Sequence, residues 1–148
     1  MERFLSFLTK LQPVALNSTR IAVGFMYWTH GGQKLFAWFG REEPVELMSR
    51  WGAAGIIEFF GGLLIMLGLF SRPVAFIIAG EMAVTYWWMH VARSGELWHW
   101  ANRGELPAVF AFIFLLLAAY GGGQFSVDGL LARRISRAAA TENGRSQR

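Results

Sequence analysis

Three ionisable side chains, Arg20, Glu58 and Glu81, sit inside otherwise apolar stretches of the sequence. A charge in hydrocarbon costs several kcal/mol unless it is paired, hydrated or neutralised. Each of the three therefore needs a partner from another segment. Arginine suits the task, because its planar fork holds two carboxylate oxygens, or two carboxylates, at once. At about 1.5 Å of rise per residue, Arg20 lies roughly 10 Å from the inner end of its helix and Glu81 roughly 12 Å from the inner end of its own. Glu58 runs in the opposite direction and lies about 18 Å from that end. Side chains lean toward their helix N-terminus, so Arg20 and Glu81 lean inward and Glu58 outward. Level and direction predict an Arg20–Glu81 ion pair and leave Glu58 without a cation at its own depth. Burial disfavours the charged form of such a carboxyl. A neutral Glu58 could donate a hydrogen bond to a carbonyl such as a quinone's, or relay a proton. The plainer alternative is that these charges only fix the order of the helices.

Around Glu58, the outer half of the chain offers further polar and aromatic groups. Tyr27, Trp28, His30 and Lys34 stand on the first apolar segment. Thr85 and Trp88 stand on the third, and Glu105 precedes the fourth. Together they are the candidate walls of an outer-half ligand pocket, and Thr85 matches Glu58 in depth. His90, nine residues after Glu81, points to the opposite helical face and reads as an interfacial histidine. A haem held by His30 and His90 is geometrically allowed, but no motif supports it. The histidines lack metal-ligand spacing. Cysteine is absent, which excludes disulfides, thiol nucleophiles and cysteine-ligated metals within the chain. The glycine runs follow no strand, so no nucleotide-binding loop is implied. Basic residues beside apolar spans read as lipid-facing, and nucleic acid is not an expected partner.

The elements that must position these groups are four apolar segments in a chain of 148 residues, 54% hydrophobic. The first runs from about Pro13 to Phe36. Along it Asn17, Arg20, Gly24, Tyr27, Gly31 and Lys34 recur at spacings of three and four, a single helical stripe. In a membrane that stripe faces the bundle, and its glycines admit another helix closely. The second, Gly52–Phe70, carries Glu58 and more glycines; the tight turn Ser71-Arg72-Pro73 makes it a hairpin with the third, Pro73–Ala92. The fourth, Leu106–Tyr120, is uncharged and short for a crossing, so the glycines after it are expected to extend it. Residues 1–12 read as an interfacial helix, with Phe4, Leu5, Leu8 and Leu11 on one face. No small-residue cleavage site comes after them, so the first span is expected to remain as an anchor. Ser126 is placed to cap a basic juxtamembrane helix over 124–137, and residues 138–148 read as a disordered tail.

Positive charge sets the orientation. With four spans, both termini and the Arg72 turn share one side and hold eight Lys and Arg residues against five on the other. The richer side is expected to be cytoplasmic. That puts all seven tryptophans and all three histidines in the outer half.

Several motifs occur in a recognisable order: Arg20 and then HGGQKL, IIEFFGGLLIMLGLFSRP, Glu81 with His90, NRGELP, and GGGQFSVDG. In these the chain resembles the DoxX family of small bacterial membrane proteins, over roughly Asn17–Gly129. The resemblance implies a four-span bundle in the bacterial inner membrane, linked in some relatives to thiosulfate:quinone oxidoreductase, superoxide dismutase or a sulfurtransferase. With no cysteine, thiol-based sulfur transfer would need a partner's thiol.

The resulting expectation is an all-α membrane protein, a four-transmembrane-helix antiparallel bundle with short interfacial helices at both ends. Its function is read as a membrane component or anchor of a redox system, either a quinone-linked oxidoreductase subunit or the assembly partner of a soluble redox enzyme. The alternative is a small-molecule conduit, which would need a homo-oligomer because four spans enclose little volume.

Overall fold

The computed structural model describes residues 1–146, and among them every regular element is helical. The long elements are α1 (Glu2–Phe36), α2 (Arg50–Leu67), α3 (Ser71–Thr85), α6 (Glu105–Tyr120) and α7 (Val127–Ser146). A π-helical turn, Tyr86–Val91, and a last short turn, α4 (Ala92–Ser94), prolong α3. The short helix α5 (His99–Asn102) lies in the loop before α6. Two stretches are long and apolar enough to cross a membrane, Arg50–Leu67 and Ser71–Ser94, and α6 is apolar but shorter at 16 residues.

Local chemistry sets the helix ends. Ser49 Oγ accepts from Gly52 N at 3.1 Å and caps α2. Gly68, at φ 68°, closes α2 in the left-handed conformation. The first amides of α3 are met from across the chain: Asp128 accepts from Phe70 N at 2.9 Å and Ser71 N at 2.8 Å. Ser126 caps α7 as its position suggests, its Oγ accepting from Gly129 N at 3.0 Å.

Two expectations about the ends need correction. Residues 1–12 do not form a separate helix; α1 runs unbroken through Pro13. Proline removes one amide donor and crowds the carbonyl four residues back, that of Thr9. Thr9 is exposed, so its surroundings can satisfy that carbonyl without the helix breaking. At the other end, α7 continues to Ser146, where a disordered tail was expected from 138. Ala138, Ala139 and Ala140 have the highest helix propensity and extend it. Residues 147–148 of that expected tail lie outside the described residues.

The helices associate as two close pairs, α1 with α2 and α3 with α6, which meet along a looser α2–α3 seam. Glycine makes the first pair close. A methyl added at Gly62 would lie 2.5 Å from Trp28 N, and one at Gly24 would lie 2.9 Å from Met66 N. The core between the pairs is apolar, with Ile65, Ile78 and Phe114 fully buried and Tyr27 at 1% exposure.

Candidate functional site

The pocket lies where the two pairs meet, near the ends that carry the tryptophans. α1 supplies Tyr27 and His30, and α2 supplies Glu58. From α3 and its π turn come Met82, Thr85 and His90. The wall on α6 is Leu106, Pro107 and Phe110. Its volume is about 130 Å³. An apolar cavity of about 150 Å³ holds one benzene ring, so this one has the scale of a single ring and is small for a porphyrin.

Glu58 is 3% exposed and is held on one side only. Its Oε1 accepts from Lys34 Nζ, while Oε2 is buried and has no hydrogen-bond partner among the described residues. Sequence reasoning left Glu58 without a cation; the structure gives it Lys34. Side-chain direction explains the pairing. Lys34 leans toward the N-terminus of α1 and Glu58 toward the N-terminus of the oppositely directed α2, so two residues from different levels converge. Lysine's long stem covers the remaining distance.

Glu81 does not pair with Arg20. Its Oε2 accepts from Tyr27 Oη, and the Tyr27 ring is wedged edge-on against Phe110 and Phe114 at 6.1 and 5.1 Å. Tyr27 thus touches the pocket with its ring and Glu81 with its hydroxyl. Glu81 itself borders a second cavity, a groove between α2 and α3.

Arg20 belongs to the opposite end. Its Nη1 donates to Ile65 O and Met66 O, both at 2.5 Å, and its Nη2 to Phe125 O at 3.2 Å and Asn17 Oδ1 at 3.4 Å. Four of its five donors are used; only Nε lacks a partner among the described residues. The last carbonyls of a helix have no partner within it, and Arg20 meets those of α2. Asp128, capping α3 beside it, completes this inner cluster. Burial pushes the Asp128 carboxyl up, but the hydrogen bonds from Ser71 and Phe70 and the Arg20 charge outweigh it, and the net direction is down.

Of the residues expected to wall the pocket, Tyr27, His30 and Thr85 do so. The other four do not. Trp28 packs with Phe25, Trp38 and Phe59 of α2 instead. Lys34 serves through Glu58. Trp88 lies 5.6 Å from the Arg50 guanidinium and faces the groove. Glu105 is exposed and pairs with His99 at 3.4 Å.

His90 is the pocket residue that sequence reasoning turned away. The π turn inserts an extra residue, which rotates the rest of the helix by roughly 100°. His90 then lines the pocket instead of the opposite face. Its Nδ1 is 3.0 Å from Asn102 O. A carbonyl only accepts, so Nδ1 carries the proton, and in the neutral ring Nε2 is an acceptor. The aromatic run Tyr86-Trp87-Trp88 was visible in the sequence, but nothing in it marks a π turn.

A family model described as DoxX matches residues 15–91. The chain belongs to the DoxX family. An uncharacterized protein of Haemophilus influenzae is 37% identical over 130 residues, covering 82% of this chain and 93% of the relative. The inner membrane protein YqjF of Escherichia coli is 29% identical over 140 residues, covering 84% and 98%. No solved structure matches. In this DoxX protein the matched stretch contains the polar part of the pocket, with Tyr27, His30, Glu58, Thr85 and His90, together with Arg20. The α6 wall and Asp128 lie beyond it.

Proposed function

We propose that the chain is a four-span protein of the bacterial inner membrane with both termini cytoplasmic. Its outer-half pocket binds a small hydroxylated ring of the quinol class, as the membrane component of a redox system. The spans are α1 from about Pro13, then α2, then Ser71–Ser94, then α6. The eight-to-five distribution of basic residues supports the orientation. The description of the Escherichia coli relative as an inner membrane protein supports the location.

The observation that carries the ligand reading is the unpartnered Oε2 of Glu58 in a ring-sized pocket. A buried acceptor without a donor costs about 1–3 kcal/mol. A ligand hydroxyl would recover that cost. Lys34 holds the other oxygen and so aims the carboxyl group. Histidine and threonine groups on the pocket's other walls offer positions for a second ring oxygen. The surrounding apolar walls, Met82, Leu106 and Phe110, suit the ring faces.

Hydroquinone binding to protein in lipid nanodiscs tests this, read from tryptophan fluorescence. The expected result is saturable binding to the wild type that weakens about tenfold in Glu58→Gln, where an amide replaces one of the two carboxyl oxygens. No binding to the wild type, or equal binding to Glu58→Gln, would overturn it. A second reading, an anchor for a soluble redox enzyme, is favoured by the exposed stacked pair Trp98–Trp100 on the same outer end, with centroids 5.1 Å apart. Co-purification of one enzyme in fixed stoichiometry, lost on Trp98→Ala, would support that reading.

A further inference from the structure

The pocket has a neighbour that its own chemistry does not use. Between α2 and α3, along the looser seam, runs a groove of about 400 Å³, three times the pocket's volume. Its α2 wall is built from small residues, Ala53 and Ala54, and then Ile57. Its α3 wall is Ile77, Val84 and Trp88, each more than half exposed. In a membrane-spanning arrangement those exposed apolar side chains face lipid, so the groove opens sideways into the bilayer. At its outer mouth Arg50 lies between the faces of Trp51 and Trp88, 5.8 and 5.6 Å from the ring centroids.

Two contacts join the groove to the pocket. Thr85 lines both cavities. Tyr27, a pocket residue, donates its hydroxyl to Glu81, a groove residue. The two cavities therefore share one threonine side chain and are bridged by a side-chain hydrogen bond, beside the looser α2–α3 seam. The pocket alone accommodates one ring. The groove is mostly apolar, with small alanines on one side, and it is bordered by 50–57 of α2 and 77–89 of α3 and its π turn, which suits an apolar chain.

We propose that the groove is the tail site of the pocket's ligand. The occupant is an amphiphile whose hydroxylated ring sits beside Glu58 and whose apolar chain passes Thr85 and lies against Ala54 and Ile77. It enters from the bilayer between α2 and α3. This rests on the ring-binding reading of the pocket and adds to it a ligand drawn from the membrane. Withdrawal from water contributes little here, because lipid already surrounds the tail. Selectivity for the chain comes from fit in the groove, and filling the groove should abolish it.

The test compares hydroquinone with decylhydroquinone, which carry the same ring without and with a tail. Both are titrated into wild-type and Ala54→Phe protein at one lipid-to-protein ratio, so that partitioning of the tail into lipid cancels. The expected result is that Ala54→Phe weakens decylhydroquinone about tenfold, the scale of overpacking a filled groove, and leaves hydroquinone unchanged. Unchanged hydroquinone binding also shows that the variant is folded. Where Ala54→Phe does not fold, Ala53→Phe serves, since Ala53 is exposed and lines the same groove. Equal decylhydroquinone affinity in variant and wild type overturns the tail site and leaves the pocket standing. Absence of hydroquinone binding to the wild type overturns the pocket and the tail site together.

Discussion

The same bundle holds two buried charged clusters, and they are held in different ways. At the inner end, Arg20 spends four of its five donors, three of them on backbone carbonyls of α2 and the segment before α7. Those acceptors cannot leave without unwinding the backbone. At the outer end, Glu58 and Glu81 are held by side chains alone, Lys34 and Tyr27, and one carboxylate oxygen of Glu58 is unpartnered. Side-chain partners can be exchanged for a ligand at the cost of a rotamer. The inner cluster ties helix ends together, and the outer one leaves a valence open beside a cavity. Intramembrane charge by itself does not distinguish these jobs; the kind of acceptor does.

Removing Arg20 should produce the largest effect. Arg20→Leu removes the donor to Met66 O and Phe125 O and one of two donors to Ile65 O, and takes a positive charge away from Asp128, at a cost of about 1–3 kcal/mol for each acceptor left unsatisfied. Membrane yield and the melting temperature of the detergent-solubilised protein should both fall sharply. Adding Glu81→Gln should recover nothing, because Arg20 and Glu81 are not partners. Rescue by the double change would restore the pairing that depth alone suggests.

That contrast shows how far the sequence could be read. The stripe Asn17–Lys34 marked the α1 packing face, and its glycines lie where α2 comes closest, as at Gly24 and Gly31. Tyr27, His30 and Thr85 were grouped with Glu58 in the outer half by level, and all four line one pocket in the fold. Pairing was not legible, because helix depth locates Cα atoms while long side chains travel. Arg20 reaches down to helix-end carbonyls, and Lys34 reaches in from the outer end of α1. The phase of His90 was not legible either, since one inserted residue in the π turn shifts by roughly 100° a face assignment made by counting from Glu81.

Next in size is the α1–α2 contact that supports both clusters. Gly62→Ala pushes a methyl against the Trp28 backbone and should cost about 1–3 kcal/mol, measured as a lower melting temperature. Hydroquinone affinity should fall with it, since Glu58 and Lys34 sit across the same interface. A neutral Gly62→Ala would mean that the helices can separate freely there.

A smaller loss is expected at Asp128. Asp128→Asn weakens the cap on α3 by about 1 kcal/mol. Because the folded state holds the Asp128 carboxyl below its ordinary value, its contribution is fully present above the unfolded carboxylate range and is lost as pH falls through the folded value. The difference in melting temperature between wild type and Asp128→Asn should therefore shrink on acidification. A gap that widens at low pH would reverse the assignment.

The smallest effect on stability is expected at Glu58→Gln. The amide keeps the shape of the side chain, and Lys34, at 19% exposure, can turn toward the outer surface. Thermal stabilisation by ligand tests the division of labour between the two clusters most directly, since a ligand that binds only the folded state raises its melting temperature. Melting would be monitored with and without saturating hydroquinone for wild type, Asp128→Asn and Glu58→Gln. The expected result is the same upward shift in wild type and Asp128→Asn, from different starting temperatures, and little or none in Glu58→Gln. A full shift in Glu58→Gln, or its loss in Asp128→Asn alone, would contradict it.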